Sequence, residues 1–392
     1  MEDLRSAIDS FDADNSPQGR VLREGLKLVG TLGIDRVTVA AILAEAKVAR
    51  GTVYAHFGDV FGVFASAWSV LGRPWLTAMM NGGAEAEVPT EYRSALVQIL
   101  CAARRAPVLD EVVTPDVAAV WSSVDHSSLI TESRAIWGLM MRLSIELSRP
   151  TLPEADSLAP LISMIAALPD DAIERYSLGE TAPVVAELPP AQSPFDAEGD
   201  DITRRLMVAA VDVVASSGLS SASMLRVCRT ARLTPGAAAP RFTDLRALHD
   251  YAFSASLADV VRQNAGVITG TLEDLSVPEQ SAAISSSSLQ ASRRKWRLYR
   301  QEFHLAAMTD PELAAKMRTA IVATDAASCD AILATGVDLP LAKALVLFIH
   351  VAAAGVGAVD ALGLPLASMD TRPMFHWLFE SFTGAPAGVA GR

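Results

Sequence analysis

The chain has 392 residues, 51% of them hydrophobic, and a formal net charge of −12. That much apolar chain excludes wholesale disorder, and the acidic balance excludes a surface that coats polyanions everywhere, while leaving room for a local basic site. Cys101, Cys228 and Cys329 are scattered and odd in number, so they offer neither a disulfide framework nor a zinc spacing and fit a reducing compartment.

Apolar residues recur at helical rather than alternating spacing along the chain, so the elements read as helices. The N-terminus, MEDLRSAIDSFDADNS, is acidic and lacks the apolar core of a signal peptide; residues 1–16 are expected as a flexible tail. Leu22, Leu26, Val29 and Leu32 line a first helix from about Pro17 to Gly33. Thr38 then caps a short helix from Val39 to Ala46. A tight connection around Lys47 and Val48 leads to a third short helix from Arg50 to His56, and Asp59 caps a longer fourth.

Further helices are expected near Glu91–Arg105, Thr131–Ser148 and Pro153–Leu168. Residues 179–201 hold Pro183, Pro189, Pro190 and Pro194 without any period and read as a linker. The apolar run Ala344–Val359 is shorter than the ~18 residues a membrane span needs. No membrane association is expected, and the cytoplasm is the default location.

The pattern restarts after the linker. A shift of 185 places Gly33 on Gly218, Ala46 on Ala231, Gly51 on Gly236, Phe57 on Phe242 and Asp59 on Asp244, with Arg20 on Arg205 and Val29 on Val214. The window from Arg20 to Phe64 maps onto Arg205–His249 without a gap. Weaker landmarks follow: Val88-Pro89 with Val277-Pro278, Arg104-Arg105 with Arg293-Arg294, and Leu152-Pro153 with Leu339-Pro340. The length then reads as two units of about 196 residues.

Thr38 to Asp59, TVAAILAEAKVARGTVYAHFGD, resembles the helix-turn-helix of the TetR family of transcriptional regulators. Thr38, Ala46, Val48, Gly51, Thr52, Tyr54, His56 and Phe57 carry the resemblance. A recognition helix inserts its first turn into a major groove about 12 Å wide. Arg50 and Thr52 project from that end, Gly51 lets the backbone come close, and Tyr54 and His56 offer polar tips to phosphates. Thr38 and Lys47 complete the expected DNA contacts. The family usually carries a lysine just after the Asp59 position, where this chain has Val60, which removes one phosphate contact.

The second copy reads RLTPGAAAPRF over Arg232–Phe242. Pro235, Ala237, Ala239 and Arg241 stand where the first copy has Arg50, Thr52, Tyr54 and His56, and Pro240 lies about five residues into the helix, where proline disrupts it. This head keeps its scaffold but lacks base-reading side chains. In the first window six basic residues meet four acidic ones, net +2; in the second, six meet two, net +4. Arg226, Arg229, Arg232, Arg241 and Arg246 are therefore candidates either for phosphate contact or for a solvated arginine face.

The expected fold is all-α: two TetR-like halves arranged as a pseudo-dimer. Each has a three-helix head and a helical-bundle body. The divisions are a head over 17–64, a body over 65–178, the linker, a degenerate head over 202–249 and a second body over 250–385. The resemblance implies a repressor of a double-stranded DNA operator, released by a small apolar effector held in the bodies. Trp121, Trp137, Met140, Met141, Trp296, Tyr299 and Phe303 are candidate pocket residues, although such stripes are more often core. The last two helices of a family member build its dimer contact, and Leu341–Val359 with Gly355 and Gly357, opposite Glu154–Leu168, fits close helix packing. A homodimer of tandem chains and a ligand-binding protein without DNA reading stay open as alternatives. No catalytic set, metal ligand cluster or cofactor motif is visible, so no enzyme, metal or cofactor is expected.

Overall fold

The computed structural model describes residues 2–81, 88–176, 193–196, 198–270, 275–334, 336–365 and 371–383. Every regular element among them is helical.

The N-terminal residues correct the expectation of a flexible tail. They form helix α1 (Glu2–Ala13), because Leu4, Ile8 and Phe11 fall on one face and are buried. The Phe11 ring meets Tyr92 edge-on at 5.7 Å, and the Tyr92 hydroxyl donates to Asp12 at 2.7 Å.

Helix α2 (Pro17–Leu32) starts where the Ser16 hydroxyl accepts from the Gly19 amide, with proline in the first turn, and stops at Gly33, whose φ of 94° suits only glycine. Val21, Leu26 and Val29 are fully buried, each contributing roughly 1.5–3 kcal/mol of burial. The short helices α3 (Val39–Ala46) and α4 (Arg50–His56) complete the head, and α5 (Val60–Asn81) connects it to the body. The body follows as α6 (Thr90–Ala102), α7 (Pro107–Ser122), α8 (Leu129–Ser148), α9 (Ala159–Ala166) and α10 (Ala172–Tyr176). Trp68 of α5 donates to Asp116 of α7 at 2.9 Å. Gln98 of α6 fastens head to body: it accepts from the Ile34 amide and donates to the Val29 carbonyl, both at 2.9 Å, so the exposed end of α2 is satisfied from below.

Of the expected linker, residues 179–192 and 197 lie outside the described residues. Phe195, which lies between them, is buried with its ring 5.2 Å from Trp296. Helices α11 (Asp201–Ser217), α12 (Met224–Thr230), α13 (Pro235–Ala238) and α14 (Leu245–Gly270) then repeat the order of α2 to α5. The chain continues as α15 (Val277–Ser288), α16 (Arg294–Ala307), α17 (Pro311–Leu333), α18 (Leu339–Ala361) and α19 (Arg372–Thr383).

Packing revises the downstream correspondences. Helix α16 lies on α11 as α6 lies on α2, and α17 lies on α14 as α7 lies on α5. Arg93 of α6 pairs with Glu146 of α8 at 2.7 Å, and Arg297 of α16 pairs with Asp360 of α18 at 3.0 Å. The counterpart of α18 is therefore α8, and not the Glu154–Leu168 segment. Helix α15 is an extra element, which puts the dipeptide landmarks out of register: Val88-Pro89 leads into α6, whereas Val277-Pro278 opens α15.

Helices α8 and α18 pack against each other across the two halves. A Cβ on Gly355 would lie 2.1 Å from Ser144 Oγ and 2.4 Å from the Met140 carbonyl, and one on Gly357 would lie 2.8 Å from the Arg297 carbonyl. The glycines thus let α18 approach α8 and α16 at backbone distance. At 23 residues α18 is longer than the apolar run suggested, and by length and composition alone it is apolar enough to cross a membrane. Here it serves as a packing helix between the two halves.

Candidate nucleic-acid interface

The first head presents α4 at the surface. The α2–α3–α4 unit is held by Ile42, Ala46 and Val53, all buried, with Val48 and Phe57 packed against them. Thr38 caps α3 by accepting from the Ala41 amide at 3.2 Å. Lys47 takes the left-handed conformation, φ 51°, and makes the turn between α3 and α4 with its side chain exposed. Arg20 reaches under that turn and donates to the Ala46 carbonyl at 3.1 Å. Asp59 caps α5 by accepting from Gly62 N at 2.9 Å.

Arg50, Gly51, Tyr54 and His56 are exposed together along α4, and Thr52 is half-buried. Tyr54 leaves 48% of its surface in solvent, unusual for an aromatic ring with apolar neighbours to pack on. Arg50 lies over that ring, 5.3 Å from its centre, and donates to the hydroxyl at 3.2 Å. The Gln18 amide donates to His56 Nε2 at 3.1 Å and fixes the imidazole beside the start of α2. A Cβ on Gly51 would meet nothing within 4 Å, so no internal contact requires glycine there. The first head therefore exposes a cation, two ring-borne polar tips and a bare stretch of backbone along α4, which suits groove insertion with flanking phosphate contacts.

The second head repeats these local devices at a shift of 185. Arg205 donates to the Ala231 carbonyl at 2.7 Å, as Arg20 does to Ala46. Ser223 caps α12 as Thr38 caps α3. Arg232 is left-handed, φ 55°, in the position of Lys47. Gly218 ends α11 with a φ of 84°, and Asp244 accepts from Ala247 N at 2.8 Å.

Its exposed residues differ. Helix α13 has only four residues, consistent with the loss of a backbone donor at Pro240. Arg226, Arg229 and Arg232 are exposed, and Arg226 also donates to the Ser221 carbonyl at 2.9 Å. Arg241 departs from the expectation of a free phosphate ligand. It grips Asp200, the capping residue of α11, with one contact at 3.0 Å, and donates to the Ala237 carbonyl at 3.0 Å. That guanidinium and the Thr203 hydroxyl hold the Asp200 carboxyl well below the usual carboxylate range. Arg246 is likewise taken, by Glu312 at 2.8 Å.

One set of residues escaped the sequence reading. Arg105 binds Asp35 of the first head through two contacts of 2.8 and 2.9 Å and also faces Glu302 of α16 at 3.3 Å, while Arg104 meets Glu302 at 2.6 Å. Arg36 pairs with Asp310 at 2.9 Å. The first head thus rests on the second half as well as on its own body. The Arg104-Arg105 dipeptide stood out in the sequence, but its partners are about 70 and 200 residues away and left no local pattern.

The expected pocket residues divide between core and cavity wall. Trp137, Met140, Met141, Tyr299 and Phe303 are buried in the core, and Trp121 and Trp296 pack against it half-buried. None of the seven lines the apolar cavity between α9, α18 and α19, but Phe303 lines a cavity of about 520 Å³ beside α14 and α17, and Trp296 lines another beside α11.

No curated protein matches the chain. Residues 21–59, which run from within α2 through α4 to the approach to α5, match the family model described as bacterial regulatory proteins, tetR family. Together with the all-α fold and the exposed third helix, this match over the first head supports a TetR-like, DNA-binding transcriptional regulator.

Proposed function

We propose that the protein works as a single-chain pseudo-dimer and acts as a repressor released by a small effector. One head reads bases through Arg50 and Thr52 with Tyr54 and His56 on the flanking phosphates. The other head holds the duplex through phosphates only, with Arg226, Arg229 and Arg232 as its contacts. The observation that carries this reading is the recurrence, at one constant shift, of the Arg20–Ala46 and Arg205–Ala231 hydrogen bonds together with the caps and left-handed turns around them.

The α8–α18 packing also supports it. Those helices occupy equivalent places in the two halves, so they bury against each other the faces that separate chains would use to dimerise. A covalent link gives each half a high effective concentration for the other. Two heads about one DNA turn apart, roughly 34–36 Å, would then engage an asymmetric operator. A ligand that changes the spacing of the heads would release it.

Sedimentation of the protein–DNA complex tests the arrangement. One 41.5 kDa chain per operator is expected. Two chains per operator would favour a homodimer of tandem chains instead.

A further inference from the structure

A cavity of about 520 Å³ opens between the two halves of the chain, inside the ~300–1,000 Å³ range of small-molecule sites. Leu161 and Met164 of α9 form one wall, and Phe348 of α18 with Phe375 and Phe379 of α19 form the other. The lining is otherwise nearly all apolar. Two charged residues stand at its edge. Glu154 is neutralised by Arg318, with contacts of 2.6 and 3.2 Å. Lys343 is exposed and has no hydrogen-bond or ion-pair partner among the described residues. The one uncompensated charge at the opening is therefore positive.

We infer that this cavity binds an elongated apolar molecule carrying a single negative group, with the chemistry of a medium-chain acyl carboxylate. The alkyl chain lies between α9, α18 and α19, where each buried methylene contributes about fourfold in affinity. The carboxylate sits at Lys343, an exposed pairing that contributes up to about fivefold. Such a ligand touches α9 of the first half and α18 and α19 of the second at once, so its binding bears on how the halves sit together. As an effector site this rests on the regulatory reading above; as a binding site it does not.

Titration calorimetry of the full chain without DNA tests it, using dodecanoate, dodecanol and dodecyltrimethylammonium below their micellar concentrations. One dodecanoate per chain is expected, bound about fivefold more tightly than dodecanol, with the cation weakest. Lys343→Met removes the preference for dodecanoate and leaves dodecanol binding unchanged. Ser157→Trp and Ser281→Trp, which add bulk at two lining positions in different halves of the chain, each weaken both ligands at least tenfold. Equal binding of the three probes overturns the carboxylate assignment. Undiminished binding in both tryptophan variants overturns the location, and so does light scattering that finds this face closed by a second copy of the chain. A failure of DNA selection would leave these results standing, and a failure of ligand binding would leave DNA selection untouched.

Discussion

Arg50 lies over the ring of Tyr54, four residues further along α4, and donates to its hydroxyl at 3.2 Å. The pair holds a guanidinium in place on a surface where an arginine otherwise keeps its rotamer freedom, so less ordering is needed when DNA binds. Arg50→Ala removes the cation itself and is expected to weaken operator binding by about 1–3 kcal/mol, roughly ten- to a hundredfold. Tyr54→Ala is expected to cost a similar amount, and Tyr54→Phe, which keeps the ring, much less. Both residues are exposed, so unfolding midpoints should stay within about 0.5 kcal/mol of the parent. Fluorescence anisotropy with operator DNA and denaturant unfolding separate the two effects.

Gly51 gives the sharper contrast between stability and function. A Cβ there meets nothing within the protein. Gly51→Ala is therefore expected to stabilise the chain by about 0.5–1 kcal/mol through helix propensity and unfolded-state entropy. The same methyl group is expected to weaken DNA binding, because it stands where the backbone approaches the groove. A variant that is more stable and binds DNA equally well would remove α4 from the interface.

The arginines of the second head separate by partner. Arg229→Ala and Arg232→Ala are expected to lower the dependence of binding on salt by about one unit of log–log slope each, uniformly across sequences. Arg241→Ala is expected to leave that slope unchanged and to loosen the N-terminus of α11, because its guanidinium is committed to Asp200. Salt titrations of binding and hydrogen exchange at α11 read the two outcomes.

Much of the first head was legible in the sequence. Thr38, Lys47 and Asp59 sit at positions where caps and turns depend on neighbours within three or four residues. Helix α1 was hidden because its acidic composition outweighed the Leu4–Ile8–Phe11 period. The Gln98 and Arg105 contacts were not legible, since each joins residues more than sixty positions apart. Nor could the sequence separate core from cavity. Tyr299 and Trp137 have the same character as Phe375 and Phe379, and only the packing of the helices decides which of them face open space.

His249 follows from the same repeat. It stands at the position of Phe64 after a shift of 185, buried, with both ring nitrogens unpartnered. Burial pulls its pKa from 6.5 down to about 4, and burial does the same to His304. Because the folded value lies below the unfolded one, the unfolded chain binds the proton more readily. Stability is complete above pH 6.5 and falls as the pH drops toward 4, by up to about 3 kcal/mol for each histidine. His249→Phe is expected to stabilise the protein by about 1–3 kcal/mol at neutral pH, by removing an unsatisfied polar group, and to flatten part of the acid loss. Thermal unfolding of both proteins between pH 4 and 8 checks it.

The central claim is that one chain places one reading head and one holding head on the same DNA. Unbiased selection of bound sequences from a random DNA pool, with the purified full-length protein, tests it most directly. An asymmetric site is expected: one enriched half-site that disappears with Arg50→Ala, and a neighbouring turn of duplex that is occupied but carries no sequence preference. A palindrome with two equal half-sites, or a pool that shows no enrichment, would contradict it.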